Sequence, residues 1–190
     1  MSDGPMGYLA LDCDGVICVR PWWARMVPVR SPGKDAAKNP ASQLLMPEWA
    51  NQQFQRLRFA RRAPIAGVSS ALQRIGESHQ LVLVTGRATS VQPQLESWLG
   101  KHDLGRFFSA VYCRGRSTME WAHKLAVARE LEVIGFVEDN PHVALYLAHH
   151  DVKVFLLGTE ASHPNIEVVE DLSQLHHRLR HSKLFTPAVS

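Results

Sequence analysis

Nowhere does this chain carry an apolar run near the ~20 residues that a bilayer-crossing helix needs, so no membrane partner is expected. Cysteine is scarce: Cys13, Cys18 and Cys113 make an odd set of three. Without paired spacing they offer no disulfide framework and fit a reducing cytoplasm. No strong excess of one charge exists either. A formal charge of +3 over 190 residues favours anionic partners in general without implying nucleic acid. Internal repeats and low-complexity tracts are missing, and Met1-Ser2-Asp3-Gly4-Pro5 shows no basic-then-apolar signal pattern. What is present is ordinary for a soluble globular chain: 45% apolar and 21% charged residues. The length supports one domain with a modest insertion.

The informative residues stand at the ends of short apolar runs. Tyr8-Leu9-Ala10-Leu11 leads into Asp12-Cys13-Asp14-Gly15. A buried parallel strand reads as such a run, and loops at the carboxyl ends of these strands are where open α/β sheets place their sites. Two acids so close repel each other unless a positive group sits between them, and a hard divalent cation such as Mg²⁺ suits oxygen ligands. Cys13, between them, is expected to point to the opposite side because side chains alternate along a strand. Gln80-Leu81-Val82-Leu83-Val84 ends in Thr85-Gly86-Arg87, a hydroxyl, a glycine and a guanidinium suited to holding phosphate. Val133-Ile134-Gly135-Phe136-Val137 ends in Glu138-Asp139-Asn140-Pro141, and Lys124 lies on the helix expected just before it. One helix and one returning strand fit that interval, so the ammonium and the acids can meet at one edge of a sheet.

Punctuation gives the rest of the organisation. Six prolines, from Pro21 to Pro64, mark residues 18–66 as a distinct segment. Pro47 and Pro64 bracket a helix over about 47–62. Further helices are expected from Val68, around Val91–Leu99, over 118–131, over 141–149 and over about 171–181. Strands are expected at Ala110-Val111-Tyr112, Lys153–Leu157 and Ile166–Val169. Strands alternating with helices predict an α/β fold, a doubly wound parallel sheet with helices on both faces.

The four motifs, Asp12-Cys13-Asp14-Gly15-Val16, Thr85-Gly86-Arg87, Lys124 and Glu138-Asp139, occur in an order that resembles the haloacid dehalogenase-like (HAD) phosphohydrolase superfamily. The narrower resemblance is to its small 5'-deoxynucleotidase-like members, although Gly158-Thr159-Glu160 stands where those have Pro-Tyr-Asn. The resemblance implies a Rossmann-type core over 1–17 and 67–190 with a small helical cap over 18–66. It implies Mg²⁺ held by Asp12, the backbone carbonyl of Asp14 and a carboxylate of the Glu138-Asp139 pair. Asp139 is then the direct ligand and Glu138 acts around it or through water. Asp12 attacks phosphorus to give an aspartyl-phosphate, and Asp14 serves as general acid and then base. Thr85, Gly86, Arg87 and Lys124 hold the phosphoryl oxygens.

The expected substrate is a small phosphorylated metabolite such as a nucleotide. Trp22 and Trp23 are placed to stack on a base or to pack the cap. Arg56, Arg58, Arg61 and Arg62 form either an anion-binding patch or a solvated helix face. Two alternatives stand beside this one: a phosphatase of polynucleotide ends, and a non-catalytic binding protein on the same fold. Arg114 and Arg116 are expected in a solvated loop. His176, His177 and His181 lack the further ligands that a zinc site needs and are assigned to the polar side of the last helix.

Overall fold

The computed structural model describes residues 7–20, 62–115, 118–158 and 160–181. The expected cap helix at 47–62, with Trp22, Trp23 and Arg56, falls almost wholly outside the described residues, as does Arg116. Six strands form one parallel sheet: β1 Tyr8–Leu11, β2 Gln80–Ala88, β3 Phe108–Arg114, β4 Gly135–Glu138, β5 Val154–Leu157 and β6 Ile166–Val169. Their order across the sheet is β3-β2-β1-β4-β5-β6. Four described helices connect strands, α1 Val68–Gly76, α2 Gln92–Lys101, α3 Glu120–Glu130 and α4 Pro141–Ala148, and a fifth, α5 Leu172–His181, follows β6.

Strand alternation sorts the core into two layers. Leu9, Leu11, Leu81, Leu83, Val137 and Phe155 pack against α1, α2 and α5. Their neighbours Ala10, Val82, Val84, Phe136, Val154 and Leu156 pack against α3 and α4 on the other face. Nearly continuous apolar strands follow, because a parallel sheet covered on both faces has no polar side. Each fully buried Leu, Val or Phe in these layers stabilises the fold by roughly 1.5–3 kcal/mol in area terms.

This topology puts the site at the centre. Chain order reverses at β1, with β2 on one side and β4 on the other. The crevice at such a switch point is where ligands sit in open α/β sheets. Helix α4 starts cleanly behind it, with Pro141 in its first turn and Asn140 Oδ1 accepting the His142 N–H at 3.0 Å.

Several elements differ from their expected bounds. Strand β2 continues through Thr85 to Ala88, because β3 offers Cys113 and Arg114 as partners, with a register shift between Thr85 and Ala88. The Thr85-Gly86-Arg87 motif is therefore inside a strand and not beyond one. Strand β4 begins at Gly135, since the Val133 N–H turns back to the Ala128 carbonyl at 3.0 Å and closes helix α3.

Candidate active site

Alternation also explains how the acids meet the lysine. Asp12 lies two residues beyond Ala10 and Glu138 two beyond Phe136, and both parent residues face the α3 side. The Asp12 N–H continues the ladder to the Val137 carbonyl at 2.9 Å, so Asp12 and Glu138 leave adjacent strands side by side. Lys124, on α3, is wholly buried against them. Its Nζ lies 3.2 Å from Asp12 Oδ1, 2.7 Å from Glu138 Oε2 and 2.8 Å from Glu120 Oε1. Glu138 spends its other oxygen, Oε1, on the N–H groups of Asp139 and Asn140, at 3.2 and 3.1 Å. It thereby braces the loop that carries Asp139.

One ligand oxygen each from Asp12, Glu138 and Asp139 lie within 4.8 Å of one another. Among the described residues this is the only His, Cys, Asp or Glu group of metal-binding size. Burial raises Asp12 to about 7, with Lys124 opposing and Glu138 and Glu120 reinforcing the rise. Burial likewise raises Asp139 to about 7, helped by the Asp12 charge and opposed by Arg20 and Lys124. Lys124 is held well above its ordinary range: burial disfavours its charge, but Asp12, Glu138 and Glu120 outweigh that. Glu120 is itself held low, because Lys124 overcomes its burial. Four carboxylates here share two cations, Lys124 and Arg20. An all-oxygen cluster with surplus negative charge fits a hard divalent cation such as Mg²⁺.

Asp14 belongs to a different environment. Gly15 follows it at φ +81°, and a Cβ on Gly15 would fall 1.7 Å from Asp139 Oδ2. Only glycine lets the turn pass that close to Asp139. The turn carries the Asp14 carboxylate away from Lys124 and onto two guanidiniums. Arg87 Nη2 is 2.6 Å from Asp14 Oδ2, and Arg62 Nη1 pairs with Asp14 Oδ1. Burial, with the nearby Arg87 charge, lowers Arg62 to about 10. The Asp14 side chain is thus not part of the three-oxygen group, which leaves its backbone carbonyl as the atom the resemblance would direct to a metal.

The phosphate-motif residues lie alongside. Thr85 is buried, and its Oγ1 accepts the Arg87 N–H at 3.3 Å. Gly86 passes so near Glu120 that a Cβ would meet its Cδ at 2.5 Å. Arg114, expected in a solvated loop, instead braces this segment as the last residue of β3. Its Nε donates to the Gly86 carbonyl at 2.8 Å and its Nη1 to the Thr118 carbonyl at 2.5 Å.

Three participants escaped the sequence reading. Glu120 stands four residues before Lys124, a helical ion-pair spacing that sequence alone displays. Arg20 binds Asp139 through Nε and Nη2, each at 3.0 Å, and nothing in its local sequence announces that. Arg62, grouped with a cap-helix patch by proximity, is non-helical, only 8% exposed and committed to Asp14.

Solved structures share this architecture. A HAD-superfamily hydrolase of subfamily IA from Geobacter sulfurreducens PCA aligns over 94% of this chain and 99% of its own, at 17% identity and a TM-score of 0.59. The L-2-haloacid dehalogenase of Xanthobacter autotrophicus, solved with chloropropionic acid covalently bound, aligns over 92% and 98%, at 12% identity and a TM-score of 0.58. This chain and these structures share one fold. A third structure, that of YfnB of Bacillus subtilis bound to magnesium, aligns over 93% and 99%, at 11% identity and a TM-score of 0.57. The chain matches no protein-family model and no curated protein sequence. No described helix is long and apolar enough to cross a membrane.

Proposed function

We propose that this chain is a Mg²⁺-dependent phosphomonoester hydrolase that works through an aspartyl-phosphate on Asp12. The observation that carries the reading is the separation of two loop carboxylates. Asp12 is buried beside Lys124, Glu138 and Asp139, while Asp14, two residues on, is partly exposed and held by arginines. A phosphate monoester is doubly anionic, so an anionic nucleophile needs local positive charge to approach it. Asp12, Asp139 and the Asp14 carbonyl would hold Mg²⁺, which when bound neutralises charge on the nucleophile and the phosphoryl oxygens. Lys124 keeps Asp12 aimed and adds a fixed charge to the same oxygens. Asp12 attacks phosphorus while Asp14 supplies a proton to the leaving oxygen, and Asp14 then takes a proton from the water that hydrolyses the intermediate. Thr85 would complete the phosphoryl cradle, and Arg87, which holds Asp14 in the free protein, would join it only by turning from Asp14 to the substrate.

A cavity of about 460 Å³ adjoins the site at Arg20 and Asp139, walled by Val16, Val19, Ile65 and Leu157, with Asp12, Thr85 and Lys124 outside its lining. That volume suits a metabolite, and a nucleotide is the favoured class. Polynucleotide ends and a non-catalytic binding role are the competing readings. The deciding experiment is a panel of nucleotides, sugar phosphates, a 3'-phosphorylated oligonucleotide and 2-chloropropionate, assayed with Mg²⁺ and with a chelator. The expected result is phosphate release from a mononucleotide, lost with chelator and restored by Mg²⁺. Undiminished turnover after metal removal would refute the mechanism, and release from the oligonucleotide alone would move the assignment to nucleic-acid ends.

A further inference from the structure

Two sulfurs flank Asp14, and the chemistry above uses neither. Alternation sends Cys13 to the face opposite Asp12, into the layer with Leu9 and Leu11. The chain then makes one tight turn: the N–H groups of Ile17 and Cys18 both donate to the Cys13 carbonyl at 3.1 Å, and the Gly15 N–H donates to the Cys18 carbonyl at 2.8 Å. This brings Cys18 back under Cys13, with their Sγ atoms 3.9 Å apart and both residues free thiols. A disulfide spans ~2.05 Å between sulfurs, so the pair must close by only about 2 Å. Cys18 is also tied to the site. Its thiol donates to Asp14 Oδ1 at 3.5 Å, and its sulfur accepts Arg62 Nη1 at 3.5 Å.

We propose that Cys13 and Cys18 are a redox pair whose disulfide, made at the expense of a peroxide, switches the Asp12–Asp14 loop off. One sulfur attacks a peroxide oxygen and the O–O bond breaks, giving a sulfenic acid and one water. The second sulfur attacks the first and the S–S bond forms, expelling the second oxygen as water. Two thiols lose two hydrogens and two electrons, and the peroxide is reduced to two waters. A thiol reductant reverses the change by exchange. Both thiols are fully buried, so a peroxide must reach them through a local opening. The Asp14 carboxylate, 25% exposed, borders the Cys18 sulfur, so a small oxidant lies one local opening away. Closure draws the Cys18 sulfur off both Asp14 and Arg62. It also tightens a turn that passes Asp139 so closely that Gly15 has no space for a Cβ. Cys113, on β3, supplies an internal control.

The test treats the reduced full-length protein with hydrogen peroxide, alkylates it after denaturation, and maps the cysteines by peptide mass. The expected result is a Cys13–Cys18 cross-link two hydrogens lighter than the dithiol, with Cys113 still alkylated. Phosphomonoesterase activity should fall at least tenfold and return with dithiothreitol. Cys113→Ala should still cross-link. Cys18→Ala should not, and after a brief peroxide pulse it should keep more of its own untreated activity than wild type keeps. Alkylation of both Cys13 and Cys18 after peroxide, a cross-link through Cys113, or a Cys13–Cys18 cross-link with unchanged turnover would each overturn the proposal. The activity arm rests on the phosphatase reading. A reduced protein inactive on every ester counts against that reading, and the cysteine map then decides the redox pair by itself.

Discussion

Asp12 and Asp14 share one loop, one side-chain type and one parity along the chain, yet their surroundings have little in common. Asp12 still obeys the strand: its side chain is 4% exposed and faces a buried ammonium at 3.2 Å. Asp14 has left the strand through the turn at Gly15, is 25% exposed, and lies between guanidiniums. A nucleophile benefits from a dry, pre-aimed position, where a fixed charge acts with little screening. A group that must exchange protons with a leaving oxygen and then with water needs access to both. On the proposed mechanism, the difference between the two carboxylates is a division of labour made by backbone geometry, with residue chemistry held constant.

The sharpest way to break that comparison is Asp12→Asn. It should lower turnover by on the order of 10⁴–10⁶-fold, as loss of a nucleophile does elsewhere, while circular dichroism stays native. Near-normal turnover would mean that Asp12 forms no covalent bond. Asp14→Asn should cost less, about 10²–10⁴-fold in turnover, and leave Mg²⁺ affinity measured by calorimetry within a few-fold, because the backbone carbonyl survives. Equal damage to both quantities would erase the proposed division.

A smaller effect probes the substrate end. Replacing Trp22 or Trp23 by Ala should raise KM for a nucleotide by about 5- to 150-fold over a generic phosphate ester, since base stacking is worth ~1–3 kcal/mol. Equal losses on all esters would assign both rings to packing.

The smallest effect is on stability. Asp12 and Asp139, ordinarily near 3.8, are raised to about 7 in the folded chain. Between those values the native state holds protons that the unfolded chain releases, so this contribution falls as pH rises toward 7. On the proposed function, Mg²⁺ would take the place of those protons. Metal-free protein should therefore melt a few degrees lower at pH 8 than at pH 6, and Mg²⁺ should raise Tm more at pH 8, with ~1 kcal/mol moving Tm by ~2–4 °C at this size. An identical Mg²⁺ increment at both pH values would mean that the raised acids are not where the metal sits.

The contrast between near and far in sequence also explains what could be read beforehand. Apolar runs and the acids that end them are local signals, so the parallel α/β architecture and the placement of Asp12, Glu138 and Lys124 at one edge were accessible from spacing and alternation. Glu120 was equally accessible, one helical turn before Lys124. Arg20 and Arg62 were not, because each is placed by a contact 119 residues away or by the return of a long excursion. The extent of β2 escaped for a similar reason: Thr85 through Ala88 are strand only because β3 lies beside them. Motif letters told which groups carry charge; tertiary geometry decided which charge faces which.

The loop after Asp14 has one more consequence. The Val19 N–H donates to the Ala63 carbonyl at 3.0 Å, the Ile65 N–H to the Ile17 carbonyl at 3.1 Å, and Cys18 bridges to Pro64. The outgoing and returning chains are thus zipped together before anything between them is reached. The ends of the excursion are already held side by side, and the closure entropy of whatever joins them grows only slowly with its length. The junction works as a socket. On the proposed function, a segment of different length and chemistry placed between residue 20 and residue 62 should leave Asp12, Lys124 and Asp139 where they are and change specificity alone.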